Sequence, residues 1–184
     1  MANVDHNVML GLGDPSGMAF YAPADTPLPT LGGTIDQTWQ ELGWVSEDGI
    51  SLTTNRDMDK LRNWALETVR LMPGDEDGTV EVPFMDTEEN TLKLLFSEDA
   101  VTVTAATAEH GKQIAVNIDP TLIPDGYAFC FFMKDGHKRA LIGTTRGFVT
   151  SVGDVSFAPQ EAVNWTATIS AKAWTYVVDD GETT

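Results

Sequence analysis

Short β-forming runs separated by turn residues fill most of the second half of this chain. From residue 101 onward, runs rich in Val, Ile, Thr and aromatic residues are interrupted by Gly, Asp and Pro, a pattern typical of strands joined by turns. We predict strands at 101–106, 112–118, 127–134, 137–143, 147–151 and 163–178, with a hairpin turn at 134–137. In the last strand, alternate residues are apolar: Trp165, Ala167, Ile169 and Ala171. This period of two predicts a half-buried strand, and the whole pattern restricts the chain to a mainly β fold.

A single clear segment has helical periodicity instead. Residues 88–96 follow two residues that favour a helix N-cap, Asp86 and Thr87. Three apolar side chains share one face of this helix: Leu92, Leu95 and Phe96. Many strands with one helix predict a β-sandwich or partial barrel with one flanking α-helix.

Loops dominate the beginning of the chain. Residues 1–17 are small, polar and rich in glycine, which indicates a flexible N-terminal arm. A short strand is predicted at 18–22. Three prolines and a Gly-Gly pair between residues 22 and 38 exclude a helix and predict a long loop. Loops of this length are usually functional or become ordered on binding.

Residues 47–72 do not give a single clear prediction of secondary structure. Residues 47–49 predict a tight turn, and residues 50–53 alternate like a strand. Residues 57–72 allow two interpretations, an amphipathic helix or a helical turn followed by a strand from about Glu67. The β-branched residues in the second half of this segment favour the turn and strand.

An acidic loop is predicted at residues 73–78, between two strands. Residues 18–178 then form one domain, and residues 179–184 form a short acidic tail. A chain of 184 residues with 42% apolar content is long enough to bury a core without disulfides or metals. The N-terminus lacks the positive region of a secretory signal, and the longest apolar run is about seven residues. We therefore expect a soluble protein.

The charge of the chain is strongly negative. There are 28 acidic residues against 11 Lys and Arg, a net charge of −17, and residues 1–92 hold 17 of the acidic residues and only 4 of the basic ones. Nucleic-acid binding through phosphate neutralisation needs a basic surface, so this class of function is excluded. Solubility alone also explains acidity in many proteins.

The sequence contains no pattern of catalytic or metal-binding residues. The histidines are scattered and are not at metal-ligand spacing: His6, His110 and His137. The glycines of residues 11–17 do not match a phosphate-binding loop. Cys130 lies in an apolar run and is expected to be a buried, inert thiol. The acidic residues 75–77 lack the ligand spacing of a calcium loop and indicate a solvated loop.

Residues 42–50 resemble a known family signature. They read leucine-glycine-aromatic-valine-serine-glutamate-aspartate-glycine, as in the tail tube (major tail) proteins of long-tailed, siphovirus-type phages, of the kind found in phages of actinobacteria. The signature residues are Leu42, Gly43, Trp44, Val45, Ser46, Glu47, Asp48 and Gly49. Residues 18–29, 88–96 and 153–157 are similar to that family's opening strand and proline loop, its single helix and part of its last β-pair. The resemblance covers residues 18–178.

The resemblance implies a structural virion protein that is not an enzyme and needs no cofactor or metal. In that family, subunits with a β-sandwich-like fold form hexameric rings around a continuous inner barrel, and type VI secretion inner tubes are built similarly. The rings stack into the tail tube, and loops and N-terminal arms reach the next ring. The implied location is the virion tail, after assembly in the host bacterial cytoplasm.

The resemblance also implies partners. The partners are other copies of the chain, the tape measure protein, the tail terminator and the distal tail protein, and DNA passes through the lumen without specific binding. An acidic lumen would repel DNA from its wall over a Debye length of about 8–10 Å. Candidate residues for contacts between subunits or with the lumen lie in loops: Asp14, Pro29, Asp75, Glu76 and Asp77. We expect residues 1–17 and 22–38 to become ordered on assembly.

Two alternatives remain open at this point. The chain is also compatible with another tube or ring component of the same fold, such as a tail terminator or a secretion-tube protein. A carbohydrate-binding β-sandwich that uses exposed tryptophans is a second alternative, although core or interface packing is the usual role of such residues.

Overall fold

The computed structural model describes residues 8–15, 17–119, 121–159 and 162–181, with the backbone alone at 56–58, 71 and 73–76. Residues 1–7 of the predicted arm, which include His6, and residues 182–184 of the predicted tail lie outside the described residues. The strands are β1 (Ala19–Pro23), β2 (Gln40–Glu41), β3 (Ser51–Arg62), β4 (Thr68–Phe84), β5 (Val101–Thr104), β6 (Gln113–Val116), β7 (Tyr127–Asp135), β8 (Lys138–Val152), β9 (Trp165–Ala171) and β10 (Thr175–Asp179). The helix α1 spans Glu89–Phe96 and is followed by a 3-10 turn at Glu98–Ala100.

One large antiparallel sheet organises the fold. Its strand order is β2-β1-β7-β8-β9-β4-β3, and β10 also pairs with β8. β5 and β6 form a separate two-stranded sheet beside α1. The prediction of a mainly β fold with one flanking helix is therefore confirmed.

The centre of the large sheet is buried on both faces. In β7, Phe129 and Phe131 point into the larger core cluster, and Ala128 and Cys130 point into a smaller cluster on the other face. The larger cluster is covered by α1, through Leu92, Leu94 and Leu95, and by the small sheet. In β9 the predicted alternation is confirmed, because Trp165, Ala167, Ile169 and Ala171 are all buried.

The long proline-containing loop covers the smaller cluster. Leu28, Leu31 and Ile35 pack against Phe20, Trp39 and their neighbours, and the Asp25 backbone N–H donates to the Thr145 carbonyl at 2.8 Å. The loop is irregular, as predicted. Its aliphatic residues cover apolar surface that the sheet would otherwise expose, and the expectation that residues 22–38 become ordered on assembly stays a prediction.

The predicted helix is present, but its predicted cap is wrong. Its N-cap position is Glu88, and no side chain caps the helix there. The Asp86 carboxylate instead accepts a hydrogen bond from the Trp44 backbone N–H, and the Thr87 hydroxyl accepts one from the Trp165 indole. Both side chains are thus used in tertiary contacts that sequence spacing does not reveal.

Two strand boundaries differ from the prediction. The predicted strands at 137–143 and 147–151 are one strand, β8, because a local irregularity in its pairing lets it continue without a turn. The predicted strand at 163–178 is divided into β9 and β10, which follow each other along the same side of β8. The hairpin turn between β7 and β8 is confirmed, with Gly136 at φ 61°.

The predictions for residues 57–66 and 73–78 are wrong. Residues 57–62 continue β3, and residues 73–78 lie within β4. The pairing of the two strands has two register shifts, one between Arg56 and Met58 and one between Leu61 and Arg62. Backbone hydrogen bonding between the two strands outweighs the local turn signals of Pro73 and Gly74. A proline is tolerated there because, among the described residues, this part of β4 pairs with β3 alone, which leaves its other edge without a strand partner from them.

An ion-pair cluster joins α1 to the start of β6. Glu89 accepts from Lys112 at 2.7 Å and from Lys93 at 2.9 Å. Hydrogen bonds from Lys112 and then Lys93 lower the pKa of Glu89 to about 2, from an ordinary value of 4.5. Because the folded-state pKa is the lower one, this cluster stabilises the fold above about pH 4.5, and the contribution is lost as the pH falls to about 2.

We expect Glu89→Gln to lower the melting temperature at neutral pH and to have little effect near pH 2. Thermal unfolding of both proteins from pH 7 to pH 2 measures this, with the exposed Glu109→Gln as the control for losing one carboxylate. A difference between Glu89→Gln and the unmodified protein that stays constant across this range would contradict the prediction.

Candidate assembly surfaces

The signature residues 42–49 form a folded junction between β1, β4 and α1. Leu42 is buried, its N–H donates to the Ala19 carbonyl at 2.9 Å, and its carbonyl accepts from the Thr91 hydroxyl at 3.2 Å. Val45 forms an isolated bridge with Phe84 at the end of β4. The signature therefore connects three elements that are distant in the sequence.

Gly43 is the most constrained position of this junction. Its φ is +79°, and a Cβ atom placed on it would lie 1.8 Å from the Asp86 Oδ2. The same oxygen accepts the Trp44 N–H at 2.8 Å. Only glycine combines the required backbone angle with room for this carboxylate.

The rest of the signature forms the predicted tight turn. The Ser46 hydroxyl donates to Asp48 at 3.0 Å, and the Gly49 N–H donates to the Ser46 carbonyl at 2.9 Å, with Gly49 at φ 73°. Trp44, Glu47 and Asp48 are exposed. The signature is thus mainly architectural, with three side chains presented to the surroundings.

The five candidate contact residues predicted from the sequence lie in three separate parts of the fold. Asp14 lies next to the signature, where it lines a cavity of about 20 Å³ with Gly43 and Trp44. Pro29 lies in the loop over the smaller cluster.

The predicted acidic contact residues lie in the β3–β4 ladder. Asp77 accepts a hydrogen bond from the Asn55 side chain at 3.4 Å across this ladder, and the backbones of Asp75 and Glu76 lie in β4. Asp75, Glu76 and Asp77 therefore belong to a strand instead of a loop.

A long hairpin extends beyond the sheet. β4 pairs with β9 from Phe84 to Gly78, and towards its start it pairs with β3 alone in the part of the chain that the structure describes. We call residues 55–77 the hairpin arm. At about 3.3 Å per residue it extends roughly 30 Å. Every side chain described in the arm is exposed. An isolated two-stranded hairpin is marginally stable in water, so this arm lacks the packing that normally supports one.

Trp174 marks the point where the arm leaves the sheet. Its indole N–H donates to the Gly78 carbonyl at 2.9 Å, and its ring stacks on Phe131 with 6.4 Å between centroids. A Cβ atom on Gly78 would lie 2.5 Å from this ring. The base of the arm is therefore anchored in the core, although the rest is not.

The tip of the arm is an ordered turn that presents a tryptophan. The Asn63 N–H donates to the Glu67 carbonyl at 3.0 Å, and the side chain of Asn63 bonds both the N–H and the carboxylate of Glu67. Leu66 takes φ 64°, and its N–H donates to the Asn63 carbonyl. Trp64, held in this turn, is 102% exposed.

The arm carries a large exposed apolar surface. Besides Trp64, four further apolar side chains are exposed: Leu61, Leu66, Val69 and Met72. Burying one tryptophan removes about 150–250 Å² from water, which is worth roughly 4–6 kcal/mol. Exposed apolar patches of this kind mark protein–protein contacts. The sequence prediction missed this surface because it assigned residues 57–66 to a helical turn and residues 73–78 to a loop, although it placed a strand from about Glu67 between them.

A second exposed apolar surface lies along the described part of the N-terminal arm. Gly13 bridges to Met133, and the Lys134 N–H donates to the Leu12 carbonyl at 2.8 Å, so this segment runs beside β7. Three apolar side chains alternate along this segment and are exposed: Val8, Leu10 and Leu12.

A third exposed apolar surface lies on β10, on the far side of the same sheet region. Among the described strands β10 pairs with β8 alone, and it exposes Tyr176, Val177 and Val178. This strand and the N-terminal segment are both available for contacts with other chains.

The described residues offer no catalytic arrangement. Among them there is no group of three or more His, Cys, Asp or Glu side chains that could hold a metal ion. Burial raises the pKa of the Cys130 thiol far above its usual range, so this cysteine is an inert core residue, as predicted. In the part of the chain that the structure describes, no helix is long and apolar enough to cross a membrane.

Comparison with known proteins identifies the family. A family model described as phage tail tube protein matches residues 9–177. A search of curated proteins finds no match.

Solved structures with a similar shape include the tube-terminating cap of the anti-feeding prophage, at 13% identity and TM-score 0.45, covering 97% of this chain and 100% of that one. The tail of an empty gene transfer agent particle and the virion of the native particle each match at 10% identity and TM-score 0.41, covering 89% of this chain and 98% of theirs.

Proposed function

The chain belongs to the phage tail tube protein family, and from this membership we propose that it forms hexameric rings that stack into the tail tube of a siphovirus-type phage. The tube is the conduit for genome ejection into the host. The chain has a structural role and is not an enzyme. Its assembly takes place in the host cytoplasm, and its partners at the tube ends and inside the tube are the distal tail protein, the tail terminator and the tape measure protein.

The observation that carries this proposal is the unsupported hairpin arm. An arm roughly 30 Å long, with apolar side chains at an ordered tip, is stable only when another surface covers it. The contact it makes is between two different surfaces of the chain, since one copy extends an arm and the next receives it. Contacts of this heterologous kind propagate, and they generate rings or open helical filaments.

The acidity of the subunit supports passage of DNA without binding. Residues 1–92 contain four basic residues, and all of them lie in the hairpin arm: Arg56, Lys60, Arg62 and Arg70. Among the basic residues of the body, Lys93 and Lys112 are paired with Glu89, and Arg146 is paired with Asp25. A bore lined by the body of the subunit is therefore acidic and repels the phosphate backbone within a Debye length of about 8–10 Å.

Electron microscopy of the purified protein over a concentration series tests the proposal. Sulfate salts, which strengthen apolar burial, favour assembly in the same series. We expect stacked rings with a central hole and six-fold symmetry. Rings that never stack would indicate a terminator, and a monomer under every condition would contradict the proposal.

A further inference from the structure

An apolar groove lies at one end of the large sheet. It has a volume of about 410 Å³ and is formed by the end of α1, residues 118, 119, 122 and 124, the end of β8 and the start of β9. The apolar lining residues include Phe96, Ile118, Leu122, Val152 and Trp165. This volume falls in the range of about 300–1,000 Å³ that is typical of binding pockets. Ile118 is 67% exposed, so the groove contains apolar surface that its own chain leaves uncovered.

The groove and the hairpin arm lie at opposite ends of the sheet. β4 and β9 pair from Phe84 with Trp165 at one end to Gly78 with Ala171 at the other. Trp165 lines the groove, whereas the arm departs at Gly78. The seven residues of β9 separate these ends by roughly 20 Å. Because the arm points away from the groove, its tip does not reach the groove of its own chain.

We propose that this groove receives the Trp64 tip of the hairpin arm from a second copy of the chain. The inference rests on the proposed function and names the two surfaces that meet in it. An exposed indole on an ordered turn matches an open apolar groove, and the ordered turn limits the entropy lost on docking. Because the two surfaces lie at opposite ends, the contact leaves a free tip and a free groove after every addition.

The charges around the two surfaces are complementary. The tip region, residues 59–70, contains Lys60, Arg62 and Arg70 against Asp59 and Glu67, so it is the positive part of an otherwise acidic first half. The charged residue among those lining the groove is Asp119. Two more carboxylates follow lining residues directly in the sequence, Asp125 after Pro124 and Asp154 after Gly153. Opposite potentials of this kind orient an encounter and fix its register.

Cross-linking between two variants that each carry one added cysteine tests which surfaces meet. Ala65→Cys places a thiol beside Trp64, and Ser151→Cys, a nearly isosteric change, places one in the groove. Native Cys130 is fully buried and does not interfere. We expect a short bismaleimide to join the two variants when they are assembled together. Thr175→Cys, in β10 near the arm's own end of the sheet, is the control and should not cross-link to Ala65→Cys.

A matched pair of substitutions gives an independent measurement. Ile118 and Ile123 are both exposed in the same loop, but only Ile118 is among the groove residues. We expect Ile118→Asp to reduce the sedimenting assembled fraction at least tenfold and Ile123→Asp to leave it close to that of the unmodified chain. Both monomers should keep the unmodified melting temperature.

The outcomes separate the inference from the proposed function. Rings or tubes that form without the Ala65–Ser151 cross-link, or that form equally well from Ile118→Asp, overturn the groove as the docking site and leave the proposed function intact. If the unmodified chain forms no rings under any condition, both are overturned.

Discussion

Trp64→Ala is expected to abolish stacking of the subunits and to leave the subunit itself folded. The indole is fully exposed in the single chain, so its removal changes the free energy of unfolding of the monomer by less than about 0.5 kcal/mol. Truncating a central tryptophan of an interface costs about 2 kcal/mol or more, roughly a thirty-fold loss for each contact. Because a tube repeats the contact at every subunit, the loss is multiplied along its length.

Sedimentation and electron microscopy measure this effect, with circular dichroism as the check on folding. Trp64→Phe is the matched variant, since it keeps an aromatic anchor on the same turn, and we expect it to retain most of the assembly. If Trp64→Ala assembled as well as the unmodified chain, the arm tip would not be an interface. A lowered monomer melting temperature would instead show that the tip packs within its own subunit.

Gly43→Ala is expected to destabilise the subunit by about 3 kcal/mol. A non-glycine residue at positive φ costs roughly 1–3 kcal/mol, and the new methyl group would displace the Asp86 carboxylate from the Trp44 N–H. Losing a hydrogen bond to a charged group costs about 1.5–3 kcal/mol. For a chain of this size, about 3 kcal/mol corresponds to a melting temperature lowered by roughly 6–12 °C.

Gly49→Ala is the matched control for this prediction. Gly49 has nearly the same φ, 73° against 79°, but nothing lies within 4 Å of the position that its Cβ would take. We therefore expect it to cost only the backbone strain, about 1 kcal/mol. Chemical denaturation of the two variants measures the difference. Equal effects would show that the contact with Asp86 contributes nothing beyond the glycine conformation.

A comparison of individual predicted elements with the structure shows which of them sequence patterns can predict. The alternation in β9 and the apolar face of α1 were predictable because both encode burial against a core, and burial imposes a period of two or of 3.6 residues. The hairpin arm was not predictable in this way. Its two strands pair only with each other, all of its described side chains are exposed, and no burial pattern distinguishes them from a loop.

The candidate assembly surfaces also include features that local sequence determines and features that distant contacts determine. The family signature at 42–49 is visible in the sequence because Gly43 and Gly49 meet local backbone requirements that few other residues can meet. The cap predicted at Asp86 and Thr87 was wrong because their partners, Trp44 and Trp165, are far away in the sequence. Trp64 could have been noticed as an apolar residue among charges, but its exposure depends on the turn that holds it.

By itself, the sequence determined the mainly β fold, the single helix, the family resemblance and the acidic character of the chain. These follow from local periodicity, local backbone requirements and composition, none of which depends on long-range contacts. Only the tertiary structure decided that the hairpin arm and the apolar groove lie at opposite ends of one sheet. Their positions depend on the register between β4 and β9, strands separated by 80 residues of sequence between Phe84 and Trp165. Register between distant strands is set by the fit of side chains in the core, and no short segment encodes it.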